Sequence, residues 1–589
     1  MNLSTMKKIV VIALFLGAVC VTLLTPINDP DFFWHLATGR WIAEHGELPQ
    51  TDPFAYTTSL KAQEEFYRAK IILTQYWLAN LLQYGIFSLA GFNGIIGLRV
   101  LIFVLTLLVI GVHLRKKELD VTAAVLLLLP FLFIFRPYIG DRPNQMTFLL
   151  LALFMYLADA AKRGEKKGYL LPVVFAVWAN MHGGFLLGAV IAGIMVVSEL
   201  YSKAFLRDHL LNKKLIAVML VTLGAGFLNP NGYTMLYSMF FEMSSSYAEG
   251  IAETHTLWQV TMQGDFRYVW MLGIAGFLAG WYIVSRVFSG SSRPKEALLG
   301  LADELLVVLF LFVLSCTAVR YIPLLAIVLV PVTSSLFSGK FQGMVRKLSA
   351  YFVPELLVAA VSLWWIYGAY AHTVLKIPPV APYYPDDAVQ FIRKHEIRGR
   401  FYNYYDWGGY LIWQFYPEQF VFIDGRALVL DAYNDSQAVN SGRREIFAGK
   451  PLYKSILDSF SVRHIIIPAV DLRGDILYLL KALENDPEWH LIFAGRNSLI
   501  YSREPAGQDY PKSLSYAVVL SSLDNMAVNP DSPYPYLTYA KANSYLGRRQ
   551  RAIDGLEEVL KHRPSQRGGP VEKALQLLRE GKEIPIDMK

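Results

Sequence analysis

Long apolar runs separated by polar stretches fill the chain as far as about residue 371. A helix that crosses a bilayer needs about 20 mostly apolar residues, and about eleven segments approach this length. The pattern therefore predicts a polytopic α-helical membrane protein with about eleven transmembrane helices. The predicted spans are Lys8–Thr25, Arg99–His113, Val121–Phe135, Met146–Ala160, Tyr169–Ala179, Phe185–Leu200, Leu215–Leu228, Tyr268–Val284, Leu305–Thr317, Ile322–Phe337 and Val353–Ala371.

Clusters of lysine and arginine follow every second predicted span, for example Arg115–Lys117 and Lys162–Lys167. Because such clusters concentrate in cytoplasmic loops, the N-terminus is predicted to lie inside and the C-terminal region outside. The apolar segment Tyr67–Ala90 carries Arg68 and Lys70, and we interpret it as an interfacial helix on the outside. If that segment crossed the membrane, every later basic cluster would change sides.

From residue 372 onward, short apolar runs alternate with amphipathic stretches, which predicts an extracytoplasmic α/β domain over residues 372–510. Residues 511–589 have a helical pattern, and Tyr536–Pro564 resembles one tetratricopeptide helix pair. A single pair cannot bury its own face, so this region is either a capping element or half of a small helical array. It is also a candidate binding region for a protein partner. Residues 1–371 form the predicted transmembrane domain, with residues 26–95 as its first extracytoplasmic loop.

The composition agrees with a membrane protein. Hydrophobic residues make up 54% of the chain and charged residues only 17%, whereas soluble domains carry about 25% charged residues. The net charge of +7 is explained by the cytoplasmic loops and does not indicate nucleic-acid binding. Cys20 and Cys316 both lie in apolar runs, so we expect neither a disulfide framework nor a cysteine metal site. The first apolar segment follows Lys7 and Lys8 without an evident cleavage site, which favours a retained helix over a signal peptide.

The stretch Thr25–Thr58 follows the first predicted span directly and mixes charged with aromatic residues. Within it, Asp31–Glu44 has apolar residues near helical spacing, which predicts a short helix. Its aromatic residues would suit a membrane–water interface. Taken alone, the stretch is better explained as an amphipathic surface helix, and only the positions of the other polar clusters favour a functional role.

The predicted topology brings many polar side chains to the outer ends of the spans. Ionisable groups near membrane depth are costly and usually line a cavity or a pathway, so we expect a cavity that opens to the outside. Simpler explanations remain for single residues, such as helix capping by Arg142 or a tight turn at His182. The candidate site residues are Asp29, Asp31, Trp34, His35, Arg40, Asp52, Arg142, Asn180, His182 and Arg320.

The layout of the first loop resembles that of the GT-C superfamily of membrane glycosyltransferases, in particular protein O-mannosyltransferases and lipid A aminoarabinose transferases. The resemblance covers about residues 8–370. It rests on Asp31, Gly46 with Pro49, Asp52-Pro53-Phe54, the helix Trp77–Gly91 and the pair Leu98-Arg99. The family often has a second acidic residue directly after the first, where this chain has Phe32. The key carboxylate is therefore Asp31, Asp29 or Asp52. The motifs DxDxxWHLxxGRW, WANxHGG and DWGGYLIW are also similar to those of a group of bacterial envelope proteins, which implies no substrate.

The resemblance implies transfer of a sugar from a polyprenyl-phosphate donor to an envelope glycan, lipid or protein, outside the bacterial inner membrane. Asp31, His35 and Asp52 are then catalytic candidates, because a carboxylate can deprotonate or orient an acceptor. Arg40, Arg142 and Arg320 are candidates for the phosphate, and Asp29, Trp34, Asn180 and His182 for other substrate contacts. Some members use a divalent metal, and Asp31 with Asp52 or His35 could hold Mg²⁺ or Mn²⁺, although their spacing is not diagnostic.

Two other functions compete with this one. A non-enzymatic envelope assembly or transport component would use the membrane part as a scaffold or conduit and the outer regions to bind partners. Coupled transporters usually show internal repeats and broken helices at the midplane, and the sequence shows no convincing repeat. An oligosaccharide ligase would need similar phosphate-binding arginines, so the sequence does not separate it from a single-sugar transferase.

Overall fold

The fold was analysed in a computed structural model. It describes residues 3–58, 63–138, 140–205, 210–236, 255–262, 266–288, 301–373, 380–442, 445–447, 449–471, 473–505, 510–524, 533–564 and 567–585. The chain divides into two compact units. The first unit comprises Met1–Gln50 and Lys70–Ala381, and the second comprises Thr51–Ala69 and Pro382–Lys589.

This division differs from the predicted domains in one respect, because residues 51–69 of the predicted first loop belong to the second unit. The reason is backbone pairing across a long sequence separation. The Tyr56 N–H donates to the Val421 carbonyl, and the Val421 N–H donates to the Phe54 carbonyl, at 3.1 and 3.0 Å. Hydropathy along the chain cannot reveal such a pairing.

The first unit is helical. Apolar side chains from its helices, among them Phe15, Phe103, Phe154 and Leu325, form one continuous core. Its described helices are Leu3–Leu23, Phe32–His45, Trp77–Lys116, Val121–Leu128, Phe131–Phe135, Asn144–Lys162, Leu171–Met181, Phe185–Phe205, Lys213–Ala225, Leu257–Met262, Arg267–Phe288, Ala302–Thr317, Ile322–Thr333, Ser335–Ser338, Lys340–Ser349 and Val353–Thr373. The helix Gln63–Thr74 runs across the division between the units at Lys70.

Among the described residues, six helices are long and apolar enough to cross a membrane. They are Thr5–Leu23, Glu65–Lys116, Val121–Tyr138, Asn144–Lys162, Phe185–Phe205 and Arg267–Arg286. Lys340–Ser349 and Val353–Gly368, bent by 87°, make a seventh if they form one span. The chain is therefore a multi-pass membrane protein, but the count of eleven is not confirmed. Several predicted spans correspond to shorter helices, and one of these, Ile322–Thr333, is buried almost throughout.

The helix Trp77–Lys116 covers both the end of the predicted interfacial segment and the predicted span that begins at Arg99. Its 40 residues include one with non-helical backbone, Gly91, at φ 59° and ψ −154°. A positive φ is readily adopted only by glycine, so this residue allows the change of direction between the two parts. The sequence predicted both parts but not that they belong to one element.

The helix Phe32–His45 matches the helix predicted from Asp31 to Glu44. It is not an amphipathic surface helix, because most of its residues from Phe32 to Ile42 are buried. It packs on the helix Trp77–Lys116. A Cβ at Gly39 would lie 2.1 Å from the Asn80 carbonyl oxygen, so only glycine permits this close approach. The helix Phe32–His45 is thus fixed inside the first unit.

The second unit contains a four-stranded mixed sheet and a separate two-stranded hairpin. The strands are β1 (Phe401–Asn403), β2 (Ile446–Phe447), β3 (Lys450–Pro451), β4 (His464–Pro468), β5 (His490–Ala494) and β6 (Ser498–Ser502). The sheet has the order β1-β4-β6-β5, in which β1 is parallel to β4 and the other neighbours are antiparallel. The hairpin is formed by β2 and β3.

The helices of the second unit are Asp386–Lys394, Gly408–Phe415, Leu430–Asn440, Leu452–Ser459, Tyr478–Glu484, Leu514–Asp524, Tyr534–Tyr545, Arg549–His562 and Pro570–Arg579. The predicted boundary after residue 510 does not separate two compact bodies. Tyr516 and Val519, beyond that boundary, lie in the same apolar core as strand residues such as Ile465. The last three helices form a further cluster around Leu556 and Leu575. Their likeness to tetratricopeptide helices stays a prediction.

Candidate active site

A buried arginine joins the end of the first helix to a later loop. Both carboxylate oxygens of Asp141 accept from Arg99, whose Nε and Nη2 lie 2.9 and 2.7 Å away. Arg99 Nη1 donates to the carbonyls of Leu23 and Thr25 at 2.9 and 3.0 Å, and to Thr25 Oγ1 at 2.7 Å. Gln83 donates to the Asp141 carbonyl. Because Thr25 precedes Asp29 and Asp141 precedes Arg142, this ion pair holds together the two segments that carry the next cluster.

Two aspartates of the first loop meet one arginine. Arg142 Nε lies 2.6 Å from Asp29 Oδ2, and Arg142 Nη1 lies 3.1 Å from Asp31 Oδ2. The other two carboxylate oxygens accept from the Asp31 backbone N–H at 3.1 Å and from Trp34 Nε1 at 3.2 Å. The side chains stay partly accessible, at 26% for Arg142, 10% for Asp29 and 24% for Asp31. We call Asp29, Asp31 and Arg142 the open triad.

Aromatic side chains line the next turn of the helix that begins at Phe32. The rings of Trp34 and His35 stack with centroids 3.5 Å apart, and Tyr76 meets His35 edge-on at 4.9 Å. His35 Nδ1 lies 2.9 Å from Asn80 Oδ1, and both residues are buried. The structure therefore brings Trp34 and His35 together with Asp31, but the Nδ1 atom of His35 is used within the protein.

His182 lies at the end of the helix Leu171–Met181 and has a fixed tautomer. Its Nδ1 accepts from the Gly184 backbone N–H at 2.8 Å and lies 2.9 Å from Thr147 Oγ1. A backbone N–H only donates, so Nδ1 must be an acceptor and the ring proton must sit on Nε2. Desolvation lowers the pKa of His182 to about 3, and the nearby charges of Arg320 and Arg142 act in the same direction. His182 is thus a neutral donor at physiological pH.

Arg320 and Asn180 complete the predicted set within the first unit. Arg320 Nη2 lies 3.2 Å from Tyr321 Oη, and the loop before it is anchored where Tyr138 Oη donates to the Val319 carbonyl at 2.6 Å. Trp77 Nε1 donates to Asn180 Oδ1 at 2.7 Å. The amide nitrogen of Asn180 donates to backbone carbonyls of its own helix and of Leu228. Both polar atoms of the Asn180 side chain therefore make hydrogen bonds within the protein.

Two predicted site residues have other partners. Arg40 forms an exposed ion pair with Glu44 one turn further along the same helix, at 2.7 Å. Asp52 belongs to the second unit, where its Oδ1 lies 2.7 Å from Arg426 Nη1. Arg426 also forms a bidentate pair with Asp424, at 2.6 Å on both nitrogens. We call Asp52, Asp424 and Arg426 the sealed triad, because its side chains are 2%, 4% and 0% exposed.

The predicted divalent metal does not fit the residues as they stand. Within the described part of the chain, no three His, Cys, Asp or Glu side chains come together as a metal-binding group. Asp29 and Asp31 face the Arg142 guanidinium, and Asp52 is engaged by Arg426.

Several partners of the site escaped the sequence analysis. Tyr76, Asn80 and Thr147 contact His35 or His182 but carry no motif that marks them. Asn80, like Gln83, is a polar residue in a mostly apolar segment, which is the one signal that could have drawn attention to it.

With the helical unit and its open triad described, comparison with solved structures shows that the fold is similar to that of an archaeal oligosaccharyltransferase. This confirms, at the level of fold, the resemblance seen in the first loop. The solved structures are those of the oligosaccharyltransferase AglB from the archaeon Archaeoglobus fulgidus. Its apo form matches with a TM-score of 0.53 and 14% identity, over 99% of this chain and 84% of that chain.

Two further structures of that enzyme contain substrate-like molecules. The complex with an inhibitory peptide and a dolichol-phosphate has a TM-score of 0.52 and 13% identity, over 95% of this chain and 86% of that one. The form tethered to an acceptor peptide with the NVT sequon has a TM-score of 0.52 and 12% identity, over 85% and 74%. No protein-family model and no curated protein matches the sequence. Identities this low establish the fold alone.

Proposed function

We propose that this protein is a membrane glycosyltransferase that moves a sugar or a glycan from a polyprenyl-phosphate carrier to an envelope acceptor. The observation that carries the proposal is the open triad, in which two carboxylates and one arginine converge, partly accessible, just after the first helix. A glycosyltransferase fold and such a cluster together provide what the reaction needs: an acceptor-binding carboxylate and a cation for the leaving phosphate.

In the proposed reaction, the acceptor oxygen or nitrogen attacks the anomeric carbon of the sugar. A bond from that carbon to the acceptor forms while the bond to the phosphate oxygen breaks. The acceptor proton passes to the carboxylate of Asp31 and then to solvent. The electron pair leaves with the polyprenyl phosphate, whose added charge would be met by the guanidinium groups of Arg142 and Arg320.

The neighbouring groups would hold the substrates without taking up protons. The Nε2–H of His182 is a neutral donor suited to a phosphate or sugar oxygen. Tyr76, which is half-buried, offers an aromatic ring of the kind on which sugar rings pack, and the buried Trp34 supports it edge-on. Asp29 shares Arg142 with Asp31 and keeps the loop in position through the Asp31 backbone N–H.

The identity of the transferred group has two candidates. A single sugar follows from the likeness to protein O-mannosyltransferases, whereas the fold match with an oligosaccharyltransferase favours transfer of a preassembled glycan. The dolichol-phosphate and the acceptor peptide bound to that archaeal enzyme support a lipid-linked donor and a peptide or glycan acceptor here.

We also propose that the site faces the extracytoplasmic side of a bacterial inner membrane. Lys7 and Lys8 precede the first span, and the positive-inside rule would keep them in the cytoplasm. The open triad follows the other end of that span, at Leu23. Cysteine labelling after Lys117 and after Asn231 would test this orientation, since the first position should be protected from outside reagents and the second should react.

Replacing Asp31 with asparagine tests the catalytic role. Asp31→Asn keeps the shape of the side chain and should lower transfer by at least about 10²-fold, as loss of a general base usually does. The assay uses the purified full chain with polyprenyl-phosphate sugars and, separately, polyprenyl-pyrophosphate oligosaccharides as donors. Glu44→Gln is the matched control, because Glu44 lies on the adjoining helix and pairs only at its exposed surface with Arg40.

Two outcomes would contradict the proposal. Transfer at the wild-type rate by Asp31→Asn would remove this residue from the mechanism. Failure of the wild type to bind any polyprenyl-linked sugar would instead favour the envelope assembly or transport component.

A further inference from the structure

The open triad contains a positively charged side chain, Arg142, and its position decides whether a divalent metal ion can bind there. A metal-dependent relative would need carboxylate oxygens directed at a shared space. In this chain the guanidinium of Arg142 faces the carboxylates of both Asp29 and Asp31.

All four carboxylate oxygens of the pair are met by N–H donors. Asp29 Oδ2 and Asp31 Oδ2 face Arg142 at 2.6 and 3.1 Å. Asp29 Oδ1 accepts from the Asp31 backbone, and Asp31 Oδ1 accepts from the Trp34 indole. A hard divalent cation prefers about six oxygen ligands, and here it would have to displace the guanidinium from the same oxygens.

The surrounding loop restricts the space further. A Cβ placed on Gly140 would lie 2.9 Å from Asp29 Oδ2, so the backbone closes on the oxygen that Arg142 binds. The Arg142 backbone is fixed through its neighbour Asp141, which Arg99 holds by a bidentate pair. Because a guanidinium stays charged at any physiological pH, a divalent ion beside it would also meet a permanent repulsion.

We infer that the cation of this site is the guanidinium of Arg142 and that the open triad holds no divalent ion. The guanidinium neutralises part of the charge of Asp29 and Asp31 and holds the loop that carries them. The role of this cation toward a leaving phosphate rests on the proposed function, whereas its effect on metal binding does not.

Metal binding therefore provides the test, with no activity needed. The full chain is stripped with EDTA in a nonionic detergent and titrated with Mn²⁺, and bound ion is followed by electron paramagnetic resonance. The wild type should show no saturable Mn²⁺ site at the triad. Arg142→Gln should bind Mn²⁺ at least about tenfold more tightly than the wild type, because the repulsive charge is removed and two carboxylates are released.

Matched variants assign any gain to the triad. Arg142→Lys keeps the positive charge and should not gain the site, whereas Arg142→Gln combined with Asp29→Asn should lose it again. The inference is overturned if the wild type binds one Mn²⁺ that Asp29→Asn removes. It is also overturned if folded Arg142→Gln binds Mn²⁺ no better than the wild type. If Arg142→Gln does not fold, the Mn²⁺ titration of the wild type and of Asp29→Asn decides the question. A chain that transfers no sugar would refute the proposed function but leave these binding results intact.

Discussion

The open triad and the sealed triad contain the same three groups, two aspartates and one arginine, yet they differ in access to water. In the sealed triad the Arg426 side chain is 0% exposed, whereas Arg142 in the open triad is 26% exposed. A charge without access to water must be compensated by fixed partners, and losing one partner leaves the others unpaired. A partly hydrated charge can exchange a protein partner for a ligand or for water. The comparison therefore separates a structural cluster from a candidate reaction site of the same composition.

The sequence separation within each triad adds to this contrast. Arg426 joins Asp424, two residues away, to Asp52 at the start of the chain. It thereby fastens the segment 51–69 to the rest of the second unit, together with the donation from Arg68 to the Ala427 carbonyl. The carboxylate of Asp52, a candidate catalytic residue from the sequence, is thus paired within the second unit.

The largest effect should come from breaking the sealed triad. Arg426→Ala leaves two buried carboxylates facing each other and should lower the free energy of unfolding of the second unit by about 3–5 kcal/mol. Thermal unfolding of the full chain, followed by fluorescence of the buried Trp407 and Trp489, measures the change. Arg463→Ala serves as control, because Arg463 pairs with Glu504 at the exposed surface and should change stability by less than about 1 kcal/mol. A loss below that value for Arg426→Ala would show that the two triads do not differ as described.

A smaller effect, of another kind, is expected in the open triad. Arg142→Gln should weaken binding of the polyprenyl-phosphate donor by about 1.5–3 kcal/mol, the usual contribution of a charge-assisted hydrogen bond. Its stability should fall much less than that of Arg426→Ala, because water can reach the released carboxylates. Isothermal titration calorimetry measures the change in donor affinity, and thermal unfolding of the same preparation measures the change in stability. Equal losses of stability in the two arginine variants would refute the distinction.

The smallest expected effect concerns the pH dependence contributed by His182. Its pKa is about 3 in the folded chain and about 6.5 when unfolded. Between these values the unfolded state binds a proton that the folded state does not, so stability decreases as the pH falls. His182→Gln should therefore make the decrease in melting temperature from pH 6.5 to pH 4 less steep.

The control for that measurement is His45→Gln, which changes an exposed histidine stacked on Trp41 and should keep the wild-type slope. An unchanged slope in His182→Gln would mean that burial does not keep the ring of His182 neutral. A steeper decrease in the melting temperature of the variant at acid pH would lead to the same conclusion.

Hydropathy predicted a multi-pass helical protein, because it is a property of consecutive residues, but it did not give the number of spans. Helical spacing predicted the helix Phe32–His45, and the fold resemblance came from the layout of the first loop. It could not predict the burial of that helix, which depends on Gly39 meeting the Asn80 backbone. Nor could it distinguish short buried helices such as Ile322–Thr333 from full spans, since both are equally apolar.

The roles of the candidate site residues stay predictions. Asp29, Asp31, Arg142 and His182 were selected because polar groups at the ends of spans are unusual. The structure pairs Asp29 and Asp31 with Arg142, and the charge of Arg142 acts on His182. Asp52 looked identical to Asp31 by this criterion. Only the pairing with Arg426, which lies 374 positions further along the chain, shows that its carboxylate is committed elsewhere.

The second unit is built from two segments that are far apart in the sequence, so they are synthesised at different times. Its first piece, Thr51–Ala69, is made roughly 300 residues before the second piece begins at Pro382. At about 5–20 residues per second, the ribosome needs roughly 15–60 s to reach that point. During this interval Asp52 lacks its partner Arg426, and the backbone of Tyr56 lacks its partner Val421. This early segment of the second unit therefore cannot reach its folded contacts until Val421 and Arg426 have been synthesised.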